Sequence, residues 1–416
     1  MEALETQEGL SEEPSFTQHP EILTTLVARI MRVESVTWGD PQRQGWLVRF
    51  RGQILGDTEA AYAQLESALK PYEITPLFRM GRGHKHEVLL VPGLLKPKPS
   101  RAIWNAVLFV LTVLSVLAAG VSYAYQGPPD FGPGAREALR EALSGGLAFT
   151  VSLLAILLAH EFGHYLAARY HGTEVTLPYF LPFPFSIFGT LGAFISLKTP
   201  PRNKKVLLDI GIAGPLAGMV VALPVLLIGL HLSPVQPLPT SLPEGSGLML
   251  EGNSILYLFS KWLVFGKLLP APVDYGGLSP VLYWLKFFFT GHPIPWGGQD
   301  VYLHPVAWAG WAGLLVTAFN LIPLGTLDGG HVLYAFLGEK ARNLFWPLLG
   351  GLLLLGFVWS GWWFWAFLLF FLGRAYAEPL DQITPLDGKR RALAIAGMVL
   401  LVLVFTPIPL QVVSAF

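Results

Sequence analysis

Apolar residues follow two patterns along this chain, and the change between them falls near Arg101. Upstream, Ile22, Leu26 and Ile30, and again Ala60, Leu65 and Leu69, keep helical spacing, while residues 33–38, 45–55, 73–78 and 86–91 read as strands. Turn signals such as Gly39-Asp40-Pro41 and Gly81-Arg82-Gly83 separate them. A helix, two strands, a helix and two more strands predict an α+β layer over 20–93. Downstream, apolar residues run on in long blocks. A bilayer span needs about 20 of them, and 103–123, 146–166, 206–230 and 305–323 satisfy that length. The windows 345–359 and 362–372 are shorter and split by Ser360-Gly361, and 392–405 closes the series. The pattern predicts a mainly α, polytopic helical membrane protein with about seven transmembrane helices and a small N-terminal α+β soluble domain.

Two downstream blocks do not read as spans. Residues 177–198 are apolar but broken by Pro178, Pro182 and Pro184, with Gly189 and Gly192 between Phe188 and Phe194. They form either an interfacial loop of packed aromatics or a re-entrant strand or hairpin lining a cavity, the only setting in which non-helical backbone is tolerated at membrane depth. Residues 231–304 are rich in Pro and Gly, with short interfacial helices expected near 255–268 and 281–289, and read as an external insert. The organisation expected is therefore a disordered acidic tail over 1–19, the α+β domain over 20–93, a linker over 94–100 and a membrane domain over 101–416 that contains the insert.

Charge sets the topology. Fourteen Lys and Arg, from Lys96 to Arg391, fall on one side if seven spans alternate, against Arg136, Arg140, Lys261, Lys267 and Lys286 on the other, so the N-terminal domain is expected in the cytoplasm. Residues 1–19 hold five Glu and no Lys or Arg, unlike a secretory signal or an Arg-rich transit peptide. Met1 is accordingly read as the mature start, and a bacterial cytoplasmic membrane as the setting. With 52% hydrophobic residues, 13% charged ones and a net charge of zero, the chain presents no field for nucleic acid, which is excluded as a partner. No cysteine is present, so any metal must be held by His, Asp or Glu.

Those residue types cluster in one place. His160-Glu161-Phe162-Gly163-His164 lies inside the second span: one helical turn puts both imidazoles on one face, and Glu161 stands where it can reach a water on a shared metal. Ionisable residues within a span cost free energy and face a bundle interior or cavity. Catalytic zinc takes three protein ligands and an open position. Asp328 is the strongest third candidate, after the helix-breaking Pro323 and Gly325 and before Gly329-Gly330, which would let backbone come close to the metal. His331 is a weaker candidate, with an outer hydrogen-bonding role as the other possibility.

HEFGH in one span, with Asn320 to Gly330 (NLIPLGTLDGG) near another, resembles the site-2 protease family of intramembrane zinc metalloproteases, over about 146–338. LGAFISLKTPPRNKKVLLDIGIAGPLAG and HPVAWAGWAGLLVTAFNLIPLGTLDGGH resemble the branch called ethylene-dependent gravitropism-deficient proteases, which also carries a soluble N-terminal domain. The resemblance implies Zn2+ held by His160, His164 and Asp328, Glu161 as general base, and a transmembrane protein or peptide as substrate within the lipid bilayer. Two departures stand out: Leu321 replaces a frequent Pro, and Gly218 replaces an Asn or Ser, so an oxyanion role at that position would need another group. Helical peptide bonds are shielded, and 189–196 is expected to pair with an unwound substrate as an added strand. Gly189, Thr190, Gly192, Phe194 and Asn320 are the candidate substrate contacts.

Plainer roles are expected elsewhere: helix packing for Gly214 and Gly218, an ion pair with Lys205 for Asp209, and interfacial anchoring for Trp359, Trp362, Trp363 and Trp365. A metal transporter would string ionisable residues through several spans and repeat its halves, and neither is seen. A catalytically silent membrane chaperone or scaffold of the same family remains the alternative. The oligomeric state is not legible.

Overall fold

The computed structural model describes residues 20–95, 99–128, 132–243 and 247–414, which places the expected acidic tail and part of the linker outside the described residues. It divides into two compact units, one built from described residues before Lys96 together with Leu380–Pro385, the other from the rest.

In the first unit the chain runs α1 (Pro20–Ala28), β1 (Met31–Trp38), a single turn α2 (Pro41–Gln44), β2 (Val48–Ile54), α3 (Thr58–Leu69), β3 (Ile74–Met80) and β4 (His86–Pro92). Asp57 starts α3 by accepting the Ala60 N–H, a side-chain cap for an otherwise orphan donor. The strands form an antiparallel sheet in the order β1-β2-β4-β3, with Phe50 opposite Val88. Alternation turns Val48, Phe50, Val88 and Leu90 inward, where they pack with Val27, Tyr62, Leu65 and Leu69 from the helices. Leu380–Pro385, which no periodicity marks, extends this sheet: Phe78 N–H donates to Leu380 O, and Gln382 N–H to Phe78 O, both at 3.0 Å. Asp381 is fully buried and accepts the Ile383 and Thr384 amides and the Thr384 hydroxyl, and Ile383 enters the core.

The second unit contains α4 (Ala102–Ala124), α5 (Ala135–Tyr170), β5 (Tyr179–Pro182), β6 (Thr190–Phe194), α6 (Lys204–His231), β7 (Val235–Pro237), β8 (Gly247–Glu251), α7 (Ile255–Phe265), α8 (Pro280–Thr290), β9 (Gln299–Val301), α9 (Pro305–Asn320), α10 (Asp328–Leu337), α11 (Phe345–Leu355), α12 (Gly361–Leu372), α13 (Gly388–Val404) and β10 (Leu410–Ser414). Only α4, α5 and α6, among the described residues, are long and apolar enough to cross a membrane, so three of the seven expected spans are shown and the other four are not. The reason is length: at 1.5 Å per residue α9 and α13 reach about 24–26 Å and α11 and α12 about 17–18 Å, short of a hydrocarbon core of about 30 Å.

Small residues set how closely the long helices cross. A Cβ on Gly146 would lie 2.6 Å from Val121 N, one on Gly229 2.1 Å from Ala307 N, and one on Gly310 2.6 Å from the Leu226 Cα, so α4 meets α5, and α6 meets α9, backbone to backbone. Phe149, Leu153, Leu157, Leu226, Trp308 and Trp311 fill the space this leaves. The block 177–198 forms the antiparallel hairpin β5–β6. Polar residues on α4 tie it down: Asn105 Nδ2 donates to Leu177 O and Pro178 O, and Ser115 Oγ to Gly189 O at 2.6 Å. Within the insert, β7 pairs with β9, while β8 pairs with β10 from the far C-terminal end.

Two side-chain expectations change. Asp209 accepts from Arg390 of α13 at 2.6–3.0 Å and pairs with His171 at 2.9 Å, because the guanidinium fork offers bidentate geometry that a lysine on the same helix cannot. Trp362 is buried, donates Nε1–H to Pro407 O at 2.7 Å and packs within the α11–α12 core, so it is an interior anchor, and Trp365 stacks on Phe319.

Candidate metal centre

The site forms where α5, α6 and the start of α10 meet. His160 and His164 sit one turn apart on α5 and are almost completely buried, as is Glu161 between them. Asp328 is the first residue of α10, where the N-terminal dipole favours a carboxylate. Its approach depends on the sequence just before it. Gly325 takes a left-handed φ of 56° in the turn after α9, and a Cβ on Gly329 would meet Leu321 O at 1.9 Å, one on Gly330 Gly325 O at 2.3 Å. The glycine pair therefore lets α10 fold tightly back on its own connecting loop, and that contact, not an approach to the metal, is what needs the missing side chains.

His164 Nδ1 donates to Ile210 O at 2.7 Å. Pro215 supplies no N–H for the Gly211 carbonyl, which loosens α6 one turn before it, beside the carbonyl that His164 uses. With the proton held on Nδ1, the neutral ring presents Nε2 as a bare lone pair. That lone pair lies 3.1 Å from His160 Nε2 and 3.2 Å from Asp328 Oδ1, and His160 Nε2 lies 3.2 Å from Asp328 Oδ2. All three ligand atoms fall within 4.8 Å of one another, the one such group among the described residues. Tetrahedral zinc bonds of about 2.0–2.1 Å to nitrogen and oxygen separate ligand atoms by about 3.3 Å, so the donor set fits zinc in type and spacing. Glu161 Oε2 is buried with no hydrogen-bond partner, a free acceptor beside the cluster.

α6 supplies the wall. A Cβ on Gly214 would stand 2.0 Å from His164 Nε2, and one on Gly218 3.2 Å from the His160 ring, while Gly163 packs against Ala213 O. Gly214 and Gly218 thus pack two helices together, as their spacing predicts, and the space their missing side chains leave is filled by the two imidazoles. The clue was present in the sequence, since the glycines share the four-residue spacing of the histidines.

The remaining candidates separate. Asn320 Nδ2 lies 3.3 Å from His160 Nε2, at the cluster itself. Gly189 and Thr190 are engaged within the fold: a Cβ on Gly189 would strike Ser115 O at 2.4 Å, and the Thr190 hydroxyl donates to Leu181 O. Gly192 opens onto free space, and Phe194 is exposed and stacked on Tyr179. His331 is half-buried with its Nδ1 buried and unpartnered, and packs its Cβ near Gly211, outside the three-residue group. His304 caps α9 through Nδ1, and neither it nor His292 joins a metal cluster.

Residues 148–347 match the model described as Peptidase family M50. Among curated proteins, the chain is similar to "Probable zinc metalloprotease EGY1, chloroplastic" of Oryza sativa subsp. japonica, 28% identical over 87% of this chain and 62% of that protein. It is likewise similar to the protein of the same name from Arabidopsis thaliana, 29% identical over 77% of this chain and 56% of that protein. "Probable zinc metalloprotease EGY2, chloroplastic" of Oryza sativa subsp. indica is 31% identical over 65% of this chain and 44% of that protein. The chain spans less than two thirds of the length of these relatives. No solved structure matches it. The chloroplastic relatives overturn the expectation of a bacterial cytoplasmic membrane with a cytoplasmic N-terminus. The bacterial setting rested on the composition of residues 1–19 and the side of the N-terminus on the distribution of Lys and Arg, and neither identifies the membrane that holds the helices. The matched segment contains His160, Glu161, His164 and Asp328 together, and over residues 148–347 the chain is similar to Peptidase family M50, the site-2 proteases.

Proposed function

We propose that the chain is an intramembrane zinc metalloprotease that hydrolyses a peptide bond in or near a transmembrane helix of a membrane-protein substrate. One observation carries the reading: His160, His164 and Asp328 converge within 4.8 Å, with an unpartnered Glu161 carboxylate beside them, on a helix apolar enough to cross a bilayer. His160 and His164 hold the metal through Nε2 and Asp328 through its carboxylate. Bound there, zinc supplies a Lewis acid for the scissile carbonyl and makes water a usable nucleophile. Glu161 takes the proton of the attacking water and returns it to the leaving amine nitrogen. Ile210 O keeps His164 in the tautomer that can ligate. Asn320, beside His160, is placed to orient the substrate carbonyl or the open side of the site.

An extended substrate is served by the hairpin. β5–β6 is a two-stranded sheet, fixed to α4 on one side, and β6 carries the open Gly192 and the exposed Phe194. An unwound stretch of substrate adds to it as a third strand. The relatives point to a chloroplast membrane as the setting.

The test measures zinc per purified chain and cleavage of a panel of single-span peptides, for the wild type, Glu161→Gln and Asp328→Ala. About one zinc in the first two, a marked loss in the third, and cleavage by the wild type alone support the reading. A Glu161→Gln chain that still cleaves refutes the role of Glu161. A zinc-loaded wild type that cleaves nothing, while Glu161→Gln restores function to cells lacking the protein, establishes the silent scaffold instead.

A further inference from the structure

Two helices of the insert leave a groove that the rest of the chain does not fill. α7 and α8 are 11 residues each, about 16 Å long, half of what a span requires. Each turns one face inward, through Tyr257, Ser260 and Lys261 on α7 and Tyr283 and Phe287 on α8. Their other faces expose Phe259, Trp262 and Leu263, and Val281, Leu282 and Leu285. Between them lies a cavity of about 740 Å3 lined by Leu258, Leu268, Ala271, Trp284, Leu285 and Phe288, with Lys267 as the one charged residue in its described lining. That volume is typical of a ligand site, but the walls offer dispersion and shape with almost no hydrogen bonding.

An apolar surface of this extent is rarely left to water. α7 packs against α6, itself long and apolar enough to cross a membrane, so the groove lies on a helix next to a candidate span. Trp284 and Lys267 line the groove together, the pairing of an indole with an ammonium group found where acyl chains meet headgroups. Lys267 Nζ donates one hydrogen bond to Gln299 Oε1 at 2.6 Å, leaving two N–H groups for an anion. A second copy across a two-fold axis would set concave groove against concave groove, whereas one flexible hydrocarbon chain fills such a slot.

We propose that the α7–α8 groove binds an acyl chain of an anionic phospholipid, with its phosphate at Lys267. Because the chain has no cysteine, Leu285→Cys places a single spin label in the groove and Val402→Cys a control label on the exposed face of α13. The full-length protein in detergent is titrated with phosphatidylglycerol carrying a nitroxide on its acyl chain. Broadening at Leu285→Cys saturates near one lipid per chain, while the control responds only linearly. Lys267→Gln raises the half-saturating phosphatidylglycerol concentration about fivefold and leaves phosphatidylcholine unaffected. Ala271→Trp removes the saturable signal with zinc content unchanged. Equal, unsaturable broadening at both labels overturns the proposal in favour of general lipid contact. Broadening between chains before lipid is added assigns the groove to a second copy. An unchanged half-saturation in Lys267→Gln refutes the headgroup assignment.

Discussion

Gly214→Ala adds one methyl group to α6, on the wall of the metal centre. The new Cβ would lie 2.0 Å from His164 Nε2, 2.3 Å from Cδ2 and 2.5 Å from Cε1, where ordinary contact begins at 3.4 Å. The ring must therefore retreat by about 1.4 Å at its ligating nitrogen, while zinc sites tolerate about 0.2 Å. Retreat from α6 also lengthens the Nδ1–H···O bond to Ile210, and a shift of that size carries it from 2.7 Å to beyond hydrogen-bonding range. Losing the position of a ligand and its outer partner together is expected to lower zinc affinity by at least about 100-fold. Gly218→Ala is the internal comparison: its Cβ meets the His160 ring at 3.2 Å, which a shift of a few tenths of an ångström relieves, so most affinity survives. Zinc is measured by mass spectrometry after dialysis against graded chelator, with helix content followed by circular dichroism. A folded Gly214→Ala chain that holds zinc as tightly as the wild type refutes the steric argument.

Three other perturbations follow from the same geometry. Leu191→Pro, on the exposed side of β6, removes a backbone donor from the strand offered to substrate, so cleavage falls steeply while zinc content stays at the wild-type value; cleavage at the wild-type rate removes strand addition from the mechanism. Asp209→Asn breaks the charge-assisted bonds to Arg390 and the pairing with His171, costing about 1–3 kcal/mol, and an unshifted melting temperature in micelles contradicts it. Burial holds the His86 imidazole below its ordinary value of 6.5, with Asp381 pulling the other way, and its Nδ1 accepts the Ile54 amide at 3.1 Å. The unfolded chain thus binds more protons than the folded one just below pH 6.5, and stability contributed by His86 is lost as pH falls through that window. The protection factor of the Ile54 amide, its exchange rate referred to the intrinsic rate at each pH, should fall on going from pH 7.5 to 5.5, and unchanged protection argues against the linkage.

Local signals were legible where one element determines them. The i, i+4 histidines required only α5, and Asp328 stood out because Pro323 and Gly325 had to end a helix before it. The helices and strands of the N-terminal layer follow from periodicity and an Asp cap. What escaped depends on partners far away in sequence. Arg390 outcompetes Lys205 for Asp209 only because α13 returns beside α6, and β10 finds β8 across about 160 residues. Nothing in the composition of 380–385 marks it as the edge of a sheet, because its backbone, not its side chains, makes the pairing. Four of the seven expected spans fall short for a different reason. Hydropathy windows measure apolar length, whereas Pro323, the break between α11 and α12, and the caps of α9 shorten the helices themselves.

The pairing of Leu380 and Gln382 with Phe78 makes the first unit discontinuous in sequence. A fragment ending after β4 would lose Ile383 from its core and leave the outer edge of β3 with open hydrogen-bonding groups, an invitation to self-association. During synthesis the same edge waits while nearly 290 further residues are made, about 15–60 s at common elongation rates. A unit whose first strands are made before α4 is thus completed only after α12, so its final closure reports that the helices through α12 have already been synthesised.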